Sequence, residues 1–160
     1  MSPAVNRRAS RAAFGAFAAS IALVANAGHH DGRSVVPLPQ YAQECGSCHV
    51  PYSPWLLPAA SWREVMAGLS RHFGTDASLD EATAKAIGAW LEANAGTGKR
   101  AAAAAPQNRI TRSAWFVHEH GEIAPATWRR ASIRSPSNCA ACHAAAERGD
   151  FHEHGARIPR

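Results

Sequence analysis

Apolar residues at helical spacing mark the clearest element of the chain, which begins near residue 61. The run Ser61-Trp62-Arg63-Glu64 matches a capping box, the pattern that opens many helices. Val65, Leu69 and His72 follow at positions i, i+4 and i+7, so they fall on one face of the predicted helix. An apolar helix face with an imidazole at its end is therefore expected, and Phe73-Gly74 should stop the helix.

Two further segments carry helical spacing. Ser78-Leu79-Asp80-Glu81 is a second capping-box match and precedes a predicted helix over residues 82–93. Its candidate core residues are Ile87, Trp90 and Leu91. Residues 115–123 form a short apolar segment of the same kind, and no segment shows the period-two alternation typical of strands. The fold class predicted from these patterns is mainly α.

The remaining segments predict loops and one short helix. Residues 41–48 are expected to form that helix, and three prolines, Pro51, Pro54 and Pro58, then enforce an irregular loop. Residues 95–108 contain glycines, a five-alanine run and Pro106, which favours an exposed connection between two modules. The predicted modules cover residues 28–96 and 97–160.

The first 27 residues have the features of a cleavable export signal. Three arginines precede an apolar run of 14 residues, 12–25, which leads into Ala25-Asn26-Ala27. A helix needs about 20 apolar residues to cross a bilayer, so the run is too short for an anchor. We expect cleavage after Ala27, a periplasmic mature protein and no stable membrane insertion.

Charge is distributed unevenly along the chain. Removal of residues 1–27 lowers the formal net charge from +5 to +2. Residues 40–96 hold three basic and six acidic side chains, whereas residues 97–160 hold ten basic and five acidic ones. An exported chain meets little nucleic acid, so we expect none as a partner, and the arginines suit carboxylates of a bound group or of an acidic protein partner instead.

The four cysteines carry the strongest chemical signal. They occur as Cys45-Gly46-Ser47-Cys48-His49 and Cys139-Ala140-Ala141-Cys142-His143, two copies of the c-type haem attachment motif C-x-x-C-H. Cysteines three residues apart on a helical turn can each add to a haem vinyl group, while the following imidazole reaches the iron. The motifs predict two covalently attached haems with His49 and His143 as proximal iron ligands. Ser137 or Asn138 is expected to cap the helix that carries the second motif, and Gly149 to act as a C-cap after it.

Three other uses of the cysteines are weaker. Two disulfides would suit an exported protein, but they would not require this spacing or a histidine after each pair. A redox C-x-x-C also needs no following histidine, and paired zinc motifs usually close one four-cysteine site.

The sixth iron ligand decides what such a protein does. An iron with one protein ligand is open to oxygen, nitric oxide or peroxide, whereas a second ligand, called distal here, leaves electron transfer as its role. After leader removal Met66 is the only methionine, and it points away from the face of Val65, Leu69 and His72. That face makes His72 the candidate distal ligand of the first haem.

The second haem has more than one candidate. Helical spacing places Phe116, His120 and Ile123 on one apolar face and directs His118 elsewhere, which favours His120. If the segment were extended, His118 and His120 would share a face. His118, His152 and His154 therefore stay open as alternatives, and a metal site formed by the two His-Glu-His-Gly runs is the less favoured interpretation of that repeat.

Beyond single motifs, the chain resembles the bacterial dihaem cytochrome c family, often called DHC. In the first half the similar residues are Glu44–His49, Leu57–Ala59, Ser61-Trp62 and Arg71–Leu79. In the second half they are Arg109–Thr111, Trp115-Phe116, His120, Ser137–Cys139, Cys142-His143, Gly149, Phe151 and Ile158-Pro159. His118 is an additional histidine beside this pattern.

The resemblance implies a mostly helical electron carrier, not an enzyme, with two low-spin haems. It implies that His72 and His120 take the distal positions, so that both irons are held by two histidines. Its implied partners are a membrane-bound b-type cytochrome or a small oxygen-binding c-type cytochrome. The alternative function is a haem enzyme or gas sensor with one five-coordinate haem.

Overall fold

The computed structural model describes residues 35–101 and 103–160, except for the side chain of Arg100. The predicted signal segment, 1–27, lies outside the described residues. Five helices are present in the described part: α1 (Pro39–Gly46), α2 (Ala59–Ala67), α3 (Glu81–Ala93), α4 (Ala114–Glu119) and α5 (Pro125–Trp128). Short 3₁₀ turns and irregular segments connect them, and pairing between extended residues is limited there to isolated bridges. The mainly helical prediction is confirmed.

The main core lies where α2 packs against α3, with α1 alongside. Its buried side chains are Tyr41, Leu57, Trp62, Ile87, Leu91, Ala95 and Ala105. Ile87 and Leu91 are one helical turn apart on α3 and are almost fully buried, each contributing about 1.5–3 kcal/mol relative to an exposed position. Trp90, the third predicted core residue of α3, is only partly buried.

Both capping boxes predicted the wrong starting residue. Helix α2 begins at Ala59 after Pro58, because a proline preceding the first turn already sets an extended backbone, and Ser61 lies buried within the helix. Helix α3 begins after Asp80, whose carboxylate accepts a hydrogen bond from the Thr83 amide at 3.0 Å. That bond lowers the pKa of Asp80, because it stabilises the ionised form.

The proline-containing loop after the first motif is fixed by side-chain hydrogen bonds to its backbone. The Tyr41 hydroxyl donates to the Tyr52 carbonyl at 2.7 Å, and the Trp62 indole donates to the Pro54 carbonyl at 2.7 Å. Burial of Tyr41 raises the pKa of its hydroxyl well above the usual value, so it remains a donor. Prolines have no backbone N–H to donate, so these side-chain hydrogen bonds take the place of backbone ones and hold the loop against the core.

The connection predicted as exposed is partly buried. Ala101 and Ala105 lie inside, and Ala105 belongs to the main core. A row of alanines can pack closely against other backbone because it carries no bulky side chain, so the expectation of an exposed connection is wrong at these positions. The module boundary near residue 96 stays a prediction. No helix of the described segments has the length and apolar character to cross a bilayer.

Gly96 occupies the tightest backbone approach in this connection. Its amide donates to the Leu57 carbonyl at 2.9 Å, and a Cβ at this position would overlap the Trp55 carbonyl oxygen and the Ala101 Cβ. A Cβ on the nearby Gly98 would meet nothing within 4 Å.

We therefore expect Gly96→Ala to lower the free energy of unfolding by about 1–3 kcal/mol, because backbone atoms would have to move apart. Urea unfolding followed by far-ultraviolet circular dichroism measures the change. Gly98→Ala is the matched control and should be close to neutral. Equal stability of the two variants would contradict the packing described at Gly96.

Candidate functional site

The first attachment motif lies where α1 ends. Cys45 is in the last turn of α1, Cys48 follows in the turn after it, and His49 comes next, so the helix predicted over residues 41–48 begins and ends two residues too late. The Nδ1 of His49 lies 2.7 Å from the Val50 carbonyl oxygen. A carbonyl can only accept, so Nδ1 carries the proton and Nε2 keeps the lone pair that a metal needs.

His72 reaches the same site from a break in the chain and not from a helix face. Helix α2 ends at Ala67, Leu69–Arg71 form a 3₁₀ turn, and His72 has an extended backbone. The helix-face argument for His72 was therefore wrong, because Gly68 ends the helix before Leu69. The ring of His72 nevertheless lies 6.2 Å from that of His49, centre to centre, with 23° between the ring planes.

The second attachment motif is a 3₁₀ turn, Cys139–Ala141, followed by Cys142 and His143. The expected side-chain cap from Ser137 or Asn138 is not formed, because the turn is too short to leave a row of free amides. Gly149 does cap the next turn, Ala146–Arg148, with a left-handed φ of 73°, as predicted.

His120 faces His143 from the end of α4. The two ring centres are again 6.2 Å apart, but here the planes make an angle of 78°. The Nδ1 of His120 donates to the Phe116 carbonyl at 3.0 Å, which leaves Nε2 free, as in His49. The prediction of a helix carrying Phe116, His120 and Ile123 on one face is confirmed only in part, because α4 ends at Glu119, His120 is its C-cap and Ile123 lies beyond it. Ser113 caps the start of the helix, and its hydroxyl accepts from the Phe116 amide at 3.1 Å.

The other histidine candidates lie on the surface. His118, His152 and His154 are exposed, whereas the partly buried His120 contacts the ring of His143. The two His-Glu-His-Gly runs do not form a metal site, since no group of three or more potential ligands is present among the described residues.

Burial lowers the pKa of both His72 and His143. In each case the facing histidine, His49 or His120, adds to the effect by repulsion between positive charges. Arg109 contributes a further lowering at His72, whereas Asp150 opposes the shift at His143. The neutral imidazole is the form that binds a metal, so the surroundings favour the ligating state.

Each histidine pair has the geometry to hold one metal ion between its two imidazoles. A ligating imidazole nitrogen lies about 2 Å from its metal, so two rings on opposite sides of one ion have their centres about 6 Å apart. Both measured separations, 6.2 Å, match this value. With a cysteine pair beside each set, the residues present would hold two c-type haems, and the iron ligand roles of the four histidines stay a prediction.

The cysteines lack the features of a redox pair. Burial raises the pKa of Cys45 and of Cys139 to about 11. A redox-active C-x-x-C depends on a lowered thiol pKa, so these surroundings do not favour redox chemistry at the thiols.

Tyr52 joins the two sites, which the sequence did not reveal. Its ring stacks on His49, with centres 4.7 Å apart and 20° between planes, and its hydroxyl donates to the Ser137 carbonyl at 2.7 Å. Ser137 is two residues before Cys139. Only the folded chain brings residues 85 positions apart into this contact, so no local pattern could have found it.

Aromatic and basic side chains surround the histidines. Near the second site these are Trp55, Trp115, Trp128 and Phe151. Beside His72 an open cleft of about 290 Å³ contains Arg71 and Arg109, and the Arg109 guanidinium lies 4.3 Å from the centre of the Phe73 ring. The aromatic rings supply an apolar wall, and the guanidiniums suit carboxylates such as haem propionates.

Comparison with known proteins gives a consistent result. The family model described as dihaem cytochrome c matches residues 41–151. A solved dihaem cytochrome c from Shewanella baltica OS155 is 36% identical with a TM-score of 0.68, covering 78% of this chain and 95% of that one. Two structures of the protein from Rhodobacter sphaeroides are 47% and 44% identical, with TM-scores of 0.63 and 0.65. They cover 73% and 74% of this chain and 99% and 100% of theirs. The search of curated proteins gave no match.

Replacement of the proposed distal histidines should open one haem at a time. We expect His72→Ala and His120→Ala each to keep both haems covalently attached, because the cysteines are unchanged, while about half of the low-spin absorbance converts to a five-coordinate or water-bound form. Visible spectra of the purified variants measure the conversion.

His118→Ala is the matched control for His120→Ala. His118 is exposed and two residues away, so its loss should leave both haems low-spin. Conversion by His118→Ala and not by His120→Ala would show that the ligand of the second haem has been assigned wrongly.

Proposed function

Because the chain belongs to the dihaem cytochrome c family, we propose that it is a periplasmic electron carrier in which each of its two covalently attached haems is held by two histidines. The ligand pairs are His49 with His72 and His143 with His120. What carries the proposal is the equal ring-centre separation of the two pairs, 6.2 Å, which suits one shared iron in each case. Proteins of this family are generally electron carriers.

When bound, each haem iron supplies a reversible one-electron couple. The role of the protein would be to hold each iron with two imidazoles, so that oxidation or reduction would change no ligand and little geometry. The Nδ1 hydrogen bonds of His49 and His120 to backbone carbonyls fix those rings and increase their basicity. Irons held in this way would exclude small exogenous ligands, which leaves electron transfer as the chemistry that these residues support.

The site of action follows from the leader. The pattern at residues 7–27 is that of a cleavable export signal, and covalent haem attachment is typical of exported cytochromes. We place the mature chain in the periplasm, beginning after Ala27.

Carbon monoxide binding distinguishes an electron carrier from a haem enzyme or gas sensor. We expect the ferrous protein to bind carbon monoxide poorly and to show negligible peroxidase turnover, because a ligand must first displace a histidine. The variant His72→Ala serves as the positive control and should bind carbon monoxide at one haem. Tight, stoichiometric binding to a native haem would instead support a gas sensor or haem enzyme.

A basic surface beside the second site supports a partner with an acidic face. Arg129, Arg130, Arg134, Arg157 and Arg160 are all exposed. The Arg157 amide donates to the Cys142 carbonyl at 2.9 Å, so Arg157 lies against the second motif. The Arg130 guanidinium donates to the Pro159 carbonyl at 2.8 Å, which puts Arg130 beside the residues that follow Arg157. Among the described residues, none of these five guanidiniums is paired with a carboxylate, so their charges are available to a partner.

We expect reduction by the semiquinone of flavin mononucleotide, whose phosphate is anionic, to slow about tenfold between low and physiological salt. The uncharged lumiflavin semiquinone should show little salt dependence. Flash photolysis measures both rates. Arg157→Glu should weaken the salt effect, whereas Lys85→Glu on α3 removes the same charge far from this surface and should not. Equal effects of the two variants would show that only net charge matters.

A further inference from the structure

The two histidine pairs have the same separation but different orientations. The planes of His49 and His72 are within 23° of parallel, whereas those of His120 and His143 are 78° apart, close to perpendicular. Each imidazole donates electron density from an orbital perpendicular to its ring. Parallel rings therefore act on the same iron d orbital, and perpendicular rings act on two different ones. The two pairs therefore differ in the orientation of their imidazole planes and not in the distance between their rings.

The cause lies next to His120. The phenyl ring of Phe116 stacks on the His120 imidazole, with centres 4.0 Å apart and 18° between planes. Phe116 is itself buried, 8% exposed, and its backbone amide is fixed by the Ser113 cap. Rotation of the imidazole about its Cβ–Cγ bond would drive a ring edge into the phenyl face, so this contact blocks the turn that would bring His120 parallel to His143.

The phenyl ring adds to a hydrogen bond that comes from the same residue. The Phe116 carbonyl accepts from His120 Nδ1 at 3.0 Å, so the backbone selects the tautomer while the side chain selects the ring plane. Trp128 also contacts His120, but at 5.8 Å and 53° it is tilted and leaves room for rotation.

Among the described residues, no equivalent contact is made at the distal histidine of the first site. Phe73 follows His72 directly, but its ring is 4.8 Å away, tilted by 60° and half exposed. The stacked ring here is Tyr52, and it lies against the proximal His49. Stacking thus orients the distal imidazole of one haem and the proximal imidazole of the other.

We propose that Phe116 is a positioning residue that holds the His120 imidazole nearly perpendicular to His143 and so makes the second haem electronically distinct from the first. The proposal rests on the four-histidine ligation given above. Parallel imidazole rings separate the energies of two iron d orbitals, whereas perpendicular rings leave those energies nearly equal. The ferric state is therefore stabilised to a different degree in the two haems. The two haems therefore differ in reduction potential as well as in magnetic anisotropy.

Electron paramagnetic resonance of the ferric holoprotein tests the proposal without any variant. We expect two low-spin signals of equal intensity: a rhombic one from the parallel pair and a highly anisotropic one, with a larger maximum g value, from the perpendicular pair. His120→Ala should remove the anisotropic signal and so assign it to the second haem. Two rhombic signals would overturn the proposed orientation. A high-spin signal in the unaltered protein would instead contradict the ligation itself, so the two failures are distinguishable.

Phe116→Leu tests the positioning role. It keeps the backbone acceptor and most of the apolar volume but removes the flat face, so the anisotropic signal should become rhombic while the first signal stays unchanged and both haems remain low-spin. Phe116→Met offers a flexible apolar side chain with the same expected result. Phe73→Leu, the same change beside the other distal histidine, is the control and should leave both signals in place. An anisotropic signal that persists in both Phe116 variants would show that Phe116 does not set the ring plane.

Discussion

The structure is organised by one constraint: two imidazoles from separate chain segments must face each other at the distance of a shared iron. A side chain with free rotation cannot meet it, since small rotations move a ring nitrogen by more than an iron bond tolerates. The chain meets it with backbone carbonyls at Val50 and Phe116, which accept from the Nδ1 atoms of His49 and His120. The local hydrogen bonds therefore orient His49 and His120, and tertiary packing brings His72 and His143 opposite them.

The two sites meet the constraint in different ways. In the first, the attachment motif precedes the facing histidine along the chain, and a break between helices delivers His72. In the second the order is reversed, and a helix end delivers His120. The first site lies beside the α2–α3 core, whereas the second has few buried aliphatic residues and is surrounded by aromatic rings. A chain this short buries little apolar surface of its own, so covalently attached haems add to a thin interior.

Contacts between the sites are consistent with a carrier that handles two electrons in one unit. Tyr52 lies on the His49 ring and reaches the backbone of Ser137 just before the second motif, so this side chain links the two sites directly. The proposed docking surface lies beside the second site, on the basic half of the chain. If Phe116 gives that haem a different reduction potential, electrons would enter and leave the protein more readily at one haem than at the other.

Sequence alone determined the chemistry. Two C-x-x-C-H motifs identify two haems, because haem attachment requires residues that are close together in the sequence. It also identified the helical class, the α4 face of Phe116 and His120, the buried Ile87 and Leu91, and the Gly149 cap, all of which depend on neighbours within a few positions. It associated His72 with the first motif through a helix face that the structure does not form, because α2 ends at Ala67 with Gly68 as its C-cap. The burial of Ala105, the Tyr52 bridge and the 23° and 78° ring angles were decided only by the tertiary structure, since each depends on where segments distant in sequence come to lie.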